Sequence, residues 1–284
     1  MRLPGGRTLG WSEYGAPAGQ PLFYCHGFPG SRLEAGRLDD DARTRGLRVI
    51  APDRPGYGAS AFQPGRRLTD WPADVAALAD HLGLKRFAVL GISGGGPYAL
   101  AIAHALPDRL DGCGIVCGLG PTVPASTRHM GLVARAGFAL GRHAPWLVHL
   151  LYGKLLGGLL RRYPGQVFSL LNANAHAVDR AAIALPDLHA SVLASVREAF
   201  RQGGRGAAYD LVLYSNDWGF RLQDIVTRIE LWHGESDATV PPAFGRAIAA
   251  AVPGCRARFF PDEGHFSLPL NRMDDILESL KGGA

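Results

Sequence analysis

The sequence predicts an α/β protein in which a mostly parallel sheet is flanked by helices and interrupted by a helical insertion. Short apolar runs alternate with helix-periodic stretches up to residue 120 and again from residue 223. Parallel neighbours need crossover connections of a dozen or more residues, usually helical, so this alternation indicates a parallel sheet with helices on both faces. Residues 121–222 show helix-like pieces and no convincing strand.

The individual elements follow in order along the chain. Apolar and β-branched runs predict strands at 21–25, 47–51, 87–90, 114–117, 229–232 and 256–260. Apolar residues at helical spacing predict helices at 70–82, 97–106, 242–251 and 273–280. We therefore assign residues 1–120 and 223–284 to an α/β core, and residues 121–222 to an inserted helical cap, or lid.

The composition limits the classes of protein that fit. With 284 residues, 47% of them hydrophobic, the chain can bury a sizeable core. The N-terminus lacks the apolar region of a signal peptide, and the longest apolar-rich stretch, 146–160, is too short to span a bilayer. No CxxC pair occurs, so we expect reduced, buried thiols at Cys25, Cys113, Cys117 and Cys255. These features predict a cytoplasmic protein without stable membrane insertion.

The positive charge of the chain is concentrated in the predicted cap. The net charge is +5, and residues 121–222 hold eleven Arg or Lys against five Asp or Glu. Such a segment could favour an anionic ligand or surface. A solvated helical face is the interpretation we favour, and no nucleic-acid motif accompanies the charge, so we expect no nucleic-acid partner.

The stretch GISGG at 91–95 joins the strand 87–90 to the following helix. A Walker phosphate loop would need a lysine after its glycines, and a dinucleotide loop would need G-x-G-x-x-G opening a helix early in the chain. Neither pattern is present, whereas G-x-S-x-G between a strand and a helix is the nucleophile-elbow pattern. Ser93 is therefore the predicted nucleophile, and the glycines two residues before and after it leave space for a strained turn.

A serine hydroxyl needs a base, and the base needs a group that orients it. His265 follows the last predicted strand, and Asp237 follows the strand before it, so both fall at the edge of the sheet that carries Ser93. The resulting order Ser, Asp, His is the one expected for this architecture. Glu235 and Glu263 are alternative carboxylates nearby, and we favour Asp237.

Acyl transfer also needs N–H donors for an oxyanion. One is the backbone N–H of Gly94, the residue after the nucleophile. The loop HGFPG at 26–30 is expected to supply the second from Phe28, because Pro29 has no N–H. We interpret His26 as a brace for this loop and the loop 53–60 as a structural turn.

Five segments together resemble one superfamily. In chain order they are HGFPGS, DRPGYGAS, GISGGG, HGESDATVP and DEGHFSL. Their order and spacing resemble the α/β-hydrolase fold over nearly the whole chain. The resemblance implies an eight-stranded, mostly parallel sheet, a helical cap after the sixth strand, and a substrate pocket between cap and core. Haloalkane dehalogenases and epoxide hydrolases in this superfamily use an aspartate nucleophile, so Ser93 argues against those two activities.

The expected function is hydrolysis of a small or medium carboxylic ester through an acyl-enzyme, with no cofactor and no metal. Phe28 and Trp218 are expected to contact the small-molecule substrate. The same triad could instead serve C–C bond, lactone or amide hydrolysis or perhydrolysis, and a non-catalytic ligand receptor is a further alternative. Oligomeric state stays open.

Cap residues are further candidates for substrate contact, although helix packing is the interpretation we favour for them. Cations that could meet a substrate carboxylate or phosphate are Lys154, Arg161 and Arg162. Apolar residues that could line a pocket are Phe138, Trp146, Leu150, Tyr152 and Phe168.

Overall fold

The structure is a computed structural model that describes residues 1–173 and 175–281. Its centre is a seven-stranded sheet with the order β1-β3-β2-β4-β5-β6-β7. The strands are β1 (Trp11–Gly15), β2 (Gln20–Cys25), β3 (Leu47–Pro52), β4 (Phe87–Ile92), β5 (Leu110–Val116), β6 (Ile229–Gly234) and β7 (Arg256–Phe260). Only β1 runs antiparallel to its neighbour, so the predicted mostly parallel sheet is confirmed.

The described sheet has one strand fewer than the eight implied by the resemblance. At the N-terminus, a single β-bridge joins Arg2 and Thr8. The chain reverses between them through Pro4, Gly5 and Gly6, and both glycines have positive φ angles. Backbone hydrogen bonds from the Leu3 N–H to Arg7 and from the Leu9 N–H to Met1 flank this bridge, but the described residues form no further strand here.

Helices cover both faces of the sheet. In the first half they are α1 (Asp39–Thr44), α2 (Trp71–His81) and α3 (Gly96–Ala105). Between β5 and β6 come α4 (Pro124–Thr127), α5 (Leu132–His143), α6 (Pro145–Val148), α7 (Gly157–Arg162), α8 (Pro164–Leu171), α9 (Ala177–Ile183), α10 (Pro186–Ala199) and α11 (Arg205–Ser215). The last are α12 (Pro242–Ala251), α13 (Ser267–Asn271) and α14 (Met273–Leu280). A π-helical stretch, His149–Leu156, connects α6 to α7, and 3₁₀ turns occur at Arg32–Leu38, Leu68–Asp70, Ser93–Gly95, Pro107–Arg109 and Leu222–Asp224.

The core consists of two apolar layers, one on each face of the sheet. Phe23 and Val89 point into the layer that contains α2 and α3, whereas Leu22 and Leu90 point into the layer that contains α14. Neighbouring residues of one strand thus serve opposite layers, as the alternation of a strand requires. Because both faces are covered, the central strands read as continuous apolar runs.

Residues 121–222, which we call the helical segment, contain no strand among their described residues. The segment lies over the carboxyl ends of the strands, because α10 contacts the turn 32–38 after β2, and α9 contacts α13 after β7. Its last helix, α11, enters the protein interior, where Tyr214 joins the main apolar layer. In the described part of the chain, no helix combines the length and apolar character needed to cross a membrane.

The four cysteines carry free thiols. Cys25, Cys113 and Cys117 are buried, as expected, and burial raises the pKa of the Cys25 thiol to about 12. Cys255 differs from the expectation, because it is only partly buried. It lies between the end of α12 and the edge strand β7, where one side of the chain has no further strand to cover it.

Candidate active site

Ser93 occupies a strained turn between β4 and α3. Its φ angle is 55°, in the left-handed region that residues with a side chain rarely adopt. A Cβ atom on Gly91 would lie 2.7 Å from the carbonyl oxygen of Gly95, and one on Gly95 would lie 2.0 Å from that of Cys25. Neither position admits a side chain, which is the steric reason for glycine on both sides of the serine.

Asp237 and His265 are hydrogen-bonded to each other. Nδ1 of His265 lies 2.7 Å from Oδ2 of Asp237, and both side chains are buried. The other oxygen of Asp237 accepts the backbone N–H groups of Thr239 and Val240, at 2.9 and 2.7 Å. Since Nδ1 must carry the proton to donate to a carboxylate, Nε2 of His265 keeps its lone pair and can accept a proton.

The pKa of His265 is raised above the ordinary histidine value of 6.5. Burial lowers this pKa, but the charge of Asp237 and its hydrogen bond to the ring more than offset the effect. The charges of Asp179 and Glu34 raise the pKa further. The ring therefore holds an incoming proton more tightly than an isolated histidine would.

The loop after β5 lies between Ser93 and the Asp237–His265 pair. The backbone N–H of Leu119 donates to the carbonyl oxygen of Ser93 at 3.0 Å. Two residues earlier, Sγ of Cys117 lies within 4.8 Å of ligand atoms of both Asp237 and His265. Among the described residues, the Ser93 hydroxyl forms no hydrogen bond. A nucleophile–base hydrogen bond commonly tightens only when substrate binds.

The two predicted oxyanion donors are close neighbours. A Cβ atom built on Gly94 would lie 3.3 Å from the backbone nitrogen of Phe28. The Tyr214 hydroxyl donates to the carbonyl oxygen of Gly94 at 2.8 Å. This hydrogen bond fixes the peptide group that joins Gly94 to Gly95, next to the Gly94 N–H. The Phe28 ring packs edge-on against Tyr214 and is stacked on Tyr152, with centroid distances of 5.4 and 5.7 Å.

A buried brace holds the loop that carries Phe28. The Arg54 guanidinium donates to the carbonyl oxygens of His26 and Gly27. His26 is fully buried; its Nε2 accepts the backbone N–H of Arg54 at 3.3 Å, and its Nδ1 lies 2.9 Å from the carbonyl oxygen of Gly27. Burial lowers the pKa of His26 well below its ordinary value, so the ring is neutral and acts as a hydrogen-bonding spacer.

Asp210 of α11 anchors this brace, and the sequence motifs gave no sign of it. Its carboxylate binds the guanidinium groups of Arg54 and Arg66, and also the hydroxyls of Tyr57 and Tyr98. Burial raises the pKa of Asp210, but the two arginines outweigh that effect and lower it below the ordinary range. The helical segment thus supplies the counter-charge for the arginine that holds the loop of Phe28.

Asp179 of α9 anchors the loop that carries His265 in a similar way, and the sequence motifs gave no sign of it either. Its Oδ2 accepts the backbone N–H of His265 at 2.8 Å, and its Oδ1 accepts those of Phe266 and Ser267 at 2.8 and 3.1 Å. The side chain is fully buried. A Cβ atom on Gly264 would lie 2.4 Å from Oδ2 of Asp179, so glycine is required for this approach.

The other candidate residues lie apart from this arrangement. Glu235 forms an ion pair with Arg246 at 2.6 Å, and Glu263 accepts hydrogen bonds from Asn271, so neither carboxylate is bonded to His265. Trp218 is buried in the main apolar layer, where its ring contacts Phe220 with a centroid distance of 6.0 Å.

The apolar candidates of the helical segment divide into two groups. Phe168 packs edge-on against Phe266, with a centroid distance of 5.9 Å, and Tyr152 is stacked on Phe28 as described above. Trp146 and Leu150 are exposed instead, which corrects the expectation that they line a pocket or pack between helices. They point outward because the opposite side of the same helix contacts the protein.

The donor set of Cys117, Asp237 and His265 is the one group in the described chain with metal-ligand spacing. Its chemistry does not favour a resident ion. Burial raises the pKa of the Cys117 thiol well above its ordinary value, whereas metals bind the thiolate. The Asp237 oxygens and Nδ1 of His265 are already bonded to each other and to backbone N–H groups.

Comparison with known proteins gives the family. Residues 20–271 match the family described as the alpha/beta hydrolase fold, so this chain belongs to that family. A solved structure of a hydrolase from Pseudomonas aeruginosa PA01 covers 100% of this chain and 97% of its own, with a TM-score of 0.73 and 21% identity. Likeness at that level of identity shows the fold alone.

Two curated relatives carry names of enzyme activities. The dihydrolipoyllysine-residue acetyltransferase component of the acetoin cleaving system from Pseudomonas putida is 37% identical over 41% of this chain. A probable proline iminopeptidase from Streptomyces coelicolor is 27% identical over 92% of this chain. The matches span 31% and 67% of those proteins' own lengths. The two names differ in chemistry and therefore do not define a shared substrate.

Proposed function

We propose that this protein is a serine hydrolase that cleaves a small or medium carboxylic ester through an acyl-enzyme intermediate. The observation that carries the proposal is the 2.7 Å hydrogen bond between His265 and Asp237, on the strand edge where Ser93 adopts the left-handed turn. Nucleophile, base and orienting acid are the three groups that acyl transfer requires.

In the acylation step, Oγ of Ser93 attacks the ester carbonyl carbon and its proton passes to Nε2 of His265. The carbonyl oxygen becomes an anion, which the backbone N–H groups of Phe28 and Gly94 bind. The N-terminus of α3 also favours negative charge at this point. The C–O bond then breaks, and His265 returns the proton to the departing alkoxide.

Deacylation repeats these steps with water. His265 takes a proton from the water as its oxygen attacks the acyl carbon, and the second oxyanion forms at the same two N–H groups. The bond to Ser93 breaks, the serine recovers its proton, and the acid product leaves. Asp237 keeps Nδ1 protonated and stabilises the charged ring in both halves of the reaction.

Within this proposal, residues 121–222 act as a cap over a core formed by 1–120 and 223–284. Tyr152 and Phe168 of the cap contact Phe28 and Phe266, which flank the two sides of the site. Aromatic rings in these positions favour an apolar acyl or alcohol group. We assign no substrate-contact role to Trp218, because it packs in the core against Phe220.

A fluorophosphonate probe tests the proposal directly, because it reacts with an activated serine. We expect labelling of Ser93 in the wild-type protein, none in Ser93→Ala, and normal labelling in the control Ser169→Ala, which changes an exposed serine. With p-nitrophenyl esters, Ser93→Ala should lower kcat/KM by roughly four to six orders of magnitude. Folded wild-type protein that is not labelled, and an Ser93→Ala variant with unchanged turnover, would refute the assignment.

A substrate panel tests the bond type. We expect kcat/KM to rank esters above lactones, anilides and vinylogous diketones. A diketone or lactone at the top of the ranking would keep the triad and replace the proposed substrate class. Tight ligand binding without turnover, unaffected by Ser93→Ala, would instead identify a receptor.

A further inference from the structure

The outward side of residues 123–171 differs from the rest of the surface. Among the described residues, thirteen large apolar side chains are exposed, and eleven of them lie in this stretch. The exposed fractions of the most open ones run from 58% to 80%, at Leu132, Val133, Trp146, Leu155 and Leu170. Soluble monomers normally scatter such residues singly, so the concentration indicates an interaction surface. We call this surface the outer face.

The central helix of the outer face is apolar on both sides. From α6 through the π-helical stretch to α7, the exposed residues Trp146, Leu150 and Leu155 recur every four or five positions. Tyr152 and Leu160, between and after them, pack inside the protein. Apolar side chains on two opposite sides of a helix are both buried only when each side has an apolar neighbour. The inner neighbour is the protein, and the outer one is absent from the isolated chain.

The outer face is also cationic without counter-charge. Residues 112–178 contain no Asp or Glu. The exposed cations of this stretch include Arg128, Arg135, Lys154, Arg161 and Arg162, and within the described chain none of these five has an ion-pair partner. Apolar side chains beside unpaired cations match a partner that is both apolar and anionic.

A depression in the surface adds a place for a phosphate group. It has a volume of about 480 Å³ and is lined by Pro124, Ala125, Thr127, Arg128 and Arg135. The two arginines are the charged groups of this lining. A guanidinium group can bind a phosphate through two parallel hydrogen bonds. The strongly exposed Leu132 and Val133 lie between them in the sequence.

We propose that the outer face docks on an anionic lipid surface, with its apolar side chains in the interfacial region and its cations at the phosphate headgroups. A second copy of the chain would satisfy the apolar side chains but would bring like charges together, which opposes association. An anionic bilayer surface matches both the cations and the apolar side chains. It attracts the cations, and it accepts leucine and tryptophan side chains at the acyl boundary.

Docking in this way would place the candidate site next to the lipid. The helices of the outer face contact the site with their inner sides, through Tyr152 on Phe28 and Phe168 on Phe266. An apolar ester dissolved in the membrane would then be near Ser93. This consequence rests on the proposed function, whereas docking itself does not, so binding is measured separately from activity.

Trp146 is a built-in probe for the test. It is 69% exposed, whereas Trp71, Trp218 and Trp232 are buried. Full-length protein is titrated with vesicles of phosphatidylcholine alone, or with phosphatidylglycerol as a minority component. We expect a blue shift of the tryptophan emission and co-sedimentation with the anionic vesicles only. Trp146→Phe should abolish most of the blue shift while the protein still co-sediments.

Two pairs of variants separate charge from apolar contact. Arg161→Gln with Arg162→Gln should weaken binding roughly 25-fold, because each cation near the surface contributes a factor of roughly five. Leu155→Ser with Leu159→Ser should weaken binding at every phosphatidylglycerol content at which wild type binds. The controls Arg256→Gln and Val226→Ser change an exposed cation and an exposed apolar residue elsewhere, and they should bind like wild type.

Three results would overturn the proposal. The first is equal binding to neutral and anionic vesicles, or none to either. The second is release of the protein from the vesicles by inorganic phosphate but not by chloride at the same ionic strength, which would identify a soluble anion as the ligand. The third is self-association in sedimentation experiments that Leu155→Ser with Leu159→Ser abolishes, without vesicle binding, which would identify a second copy as the occupant.

Discussion

The two sides of the helical segment differ in whether their charged groups have partners. On the inner side, Asp179 and Asp210 are fully buried, and each carboxylate is surrounded by donors from loops of the candidate site. On the outer face, cations such as Arg161 and Arg162 have no ion-pair partner in the described chain. Burying a charge is costly unless it is paired or hydrogen-bonded, and on the inner side the same chain supplies the partners of both carboxylates. Exposed cations are hydrated and cost little when unpaired, so the outer face can stay free for the lipid surface proposed above.

The two inner carboxylates also differ from each other in how they stabilise the site. Asp210 neutralises two arginines, and thereby fixes the loop that carries the Phe28 N–H. Asp179 forms no ion pair with any described residue and accepts three consecutive backbone N–H groups, those of His265, Phe266 and Ser267. One holds its loop by charge, the other by backbone hydrogen bonds, and their removal should therefore have different costs.

The largest effect is expected from Asp210→Ala. The change leaves Arg54 and Arg66 buried without their counter-charge, and breaking a buried pair in this way costs about 3–5 kcal/mol. Denaturant unfolding measures the free energy of unfolding. The control Asp187→Asn, which removes an exposed acid of the same segment, should change that free energy little. A small effect of Asp210→Ala would mean that solvent reaches the two arginines.

A smaller loss of stability is expected from Asp179→Ala. Three backbone donors lose their acceptor, and an unsatisfied buried group costs about 1–3 kcal/mol. Water that enters the vacated space offsets part of this cost. We expect a total of about 2–4 kcal/mol, together with a fall in kcat, because the loop of His265 is no longer fixed. Unchanged kcat in the folded variant would show that the loop holds its conformation without the carboxylate.

How much of this arrangement could be predicted depended on sequence distance. Ser93, Asp237 and His265 were chosen because each follows its own strand within a short motif, which is a local pattern. Asp179 and Asp210 act across 86 and 156 residues, on His265 and Arg54, and nothing in their helices distinguishes them from surface acids. Their roles come from tertiary packing alone.

The differences in the fold have similar causes. The edge strand β1 (Trp11–Gly15) is short and partly exposed, so it lacks the apolar run by which the central strands were found. Trp146 and Leu150 read as ordinary helix-packing residues, since a sequence pattern shows that a helix is apolar without showing which side has a partner. The unequal charge of the segment was visible in the sequence, but its separation into two sides was not.

The pH dependence of activity should report the charge on the inner side. A protonated His265 cannot accept the serine proton, so kcat/KM should rise with pH through a midpoint above 6.5. The charge of Asp179 raises that pKa, so Asp179→Asn should move the midpoint to lower pH. Asp187→Asn should leave it in place. A midpoint unmoved by Asp179→Asn would mean that Asp179 acts on the loop by hydrogen bonding alone.

The same raised pKa has a consequence for stability. The folded protein binds the His265 proton more tightly than the unfolded chain does. The contribution of this group is therefore fully present below the unfolded pKa of about 6.5 and is lost as pH rises through the higher folded pKa. Because His26 also titrates differently in the folded and unfolded protein, the contribution of His265 is measured as a difference: the free energy of unfolding of wild type minus that of His265→Ala should fall as pH rises through that range.

The smallest effect on folding is expected on the outer face. Leu155→Ser with Leu159→Ser removes side chains that are already at least half exposed, so the free energy of unfolding should change by no more than about 0.5 kcal/mol per substitution. Leu160→Ser, one position further along but buried, should cost several times more, because it replaces a packed side chain with a cavity and a hydroxyl. Substitutions at adjacent residues of one helix would then change the free energy of unfolding by different amounts, only because one side chain faces outward and the other inward. A large loss from the exposed pair would show that the outer face packs against the protein itself, and the contrast between the two sides would fail.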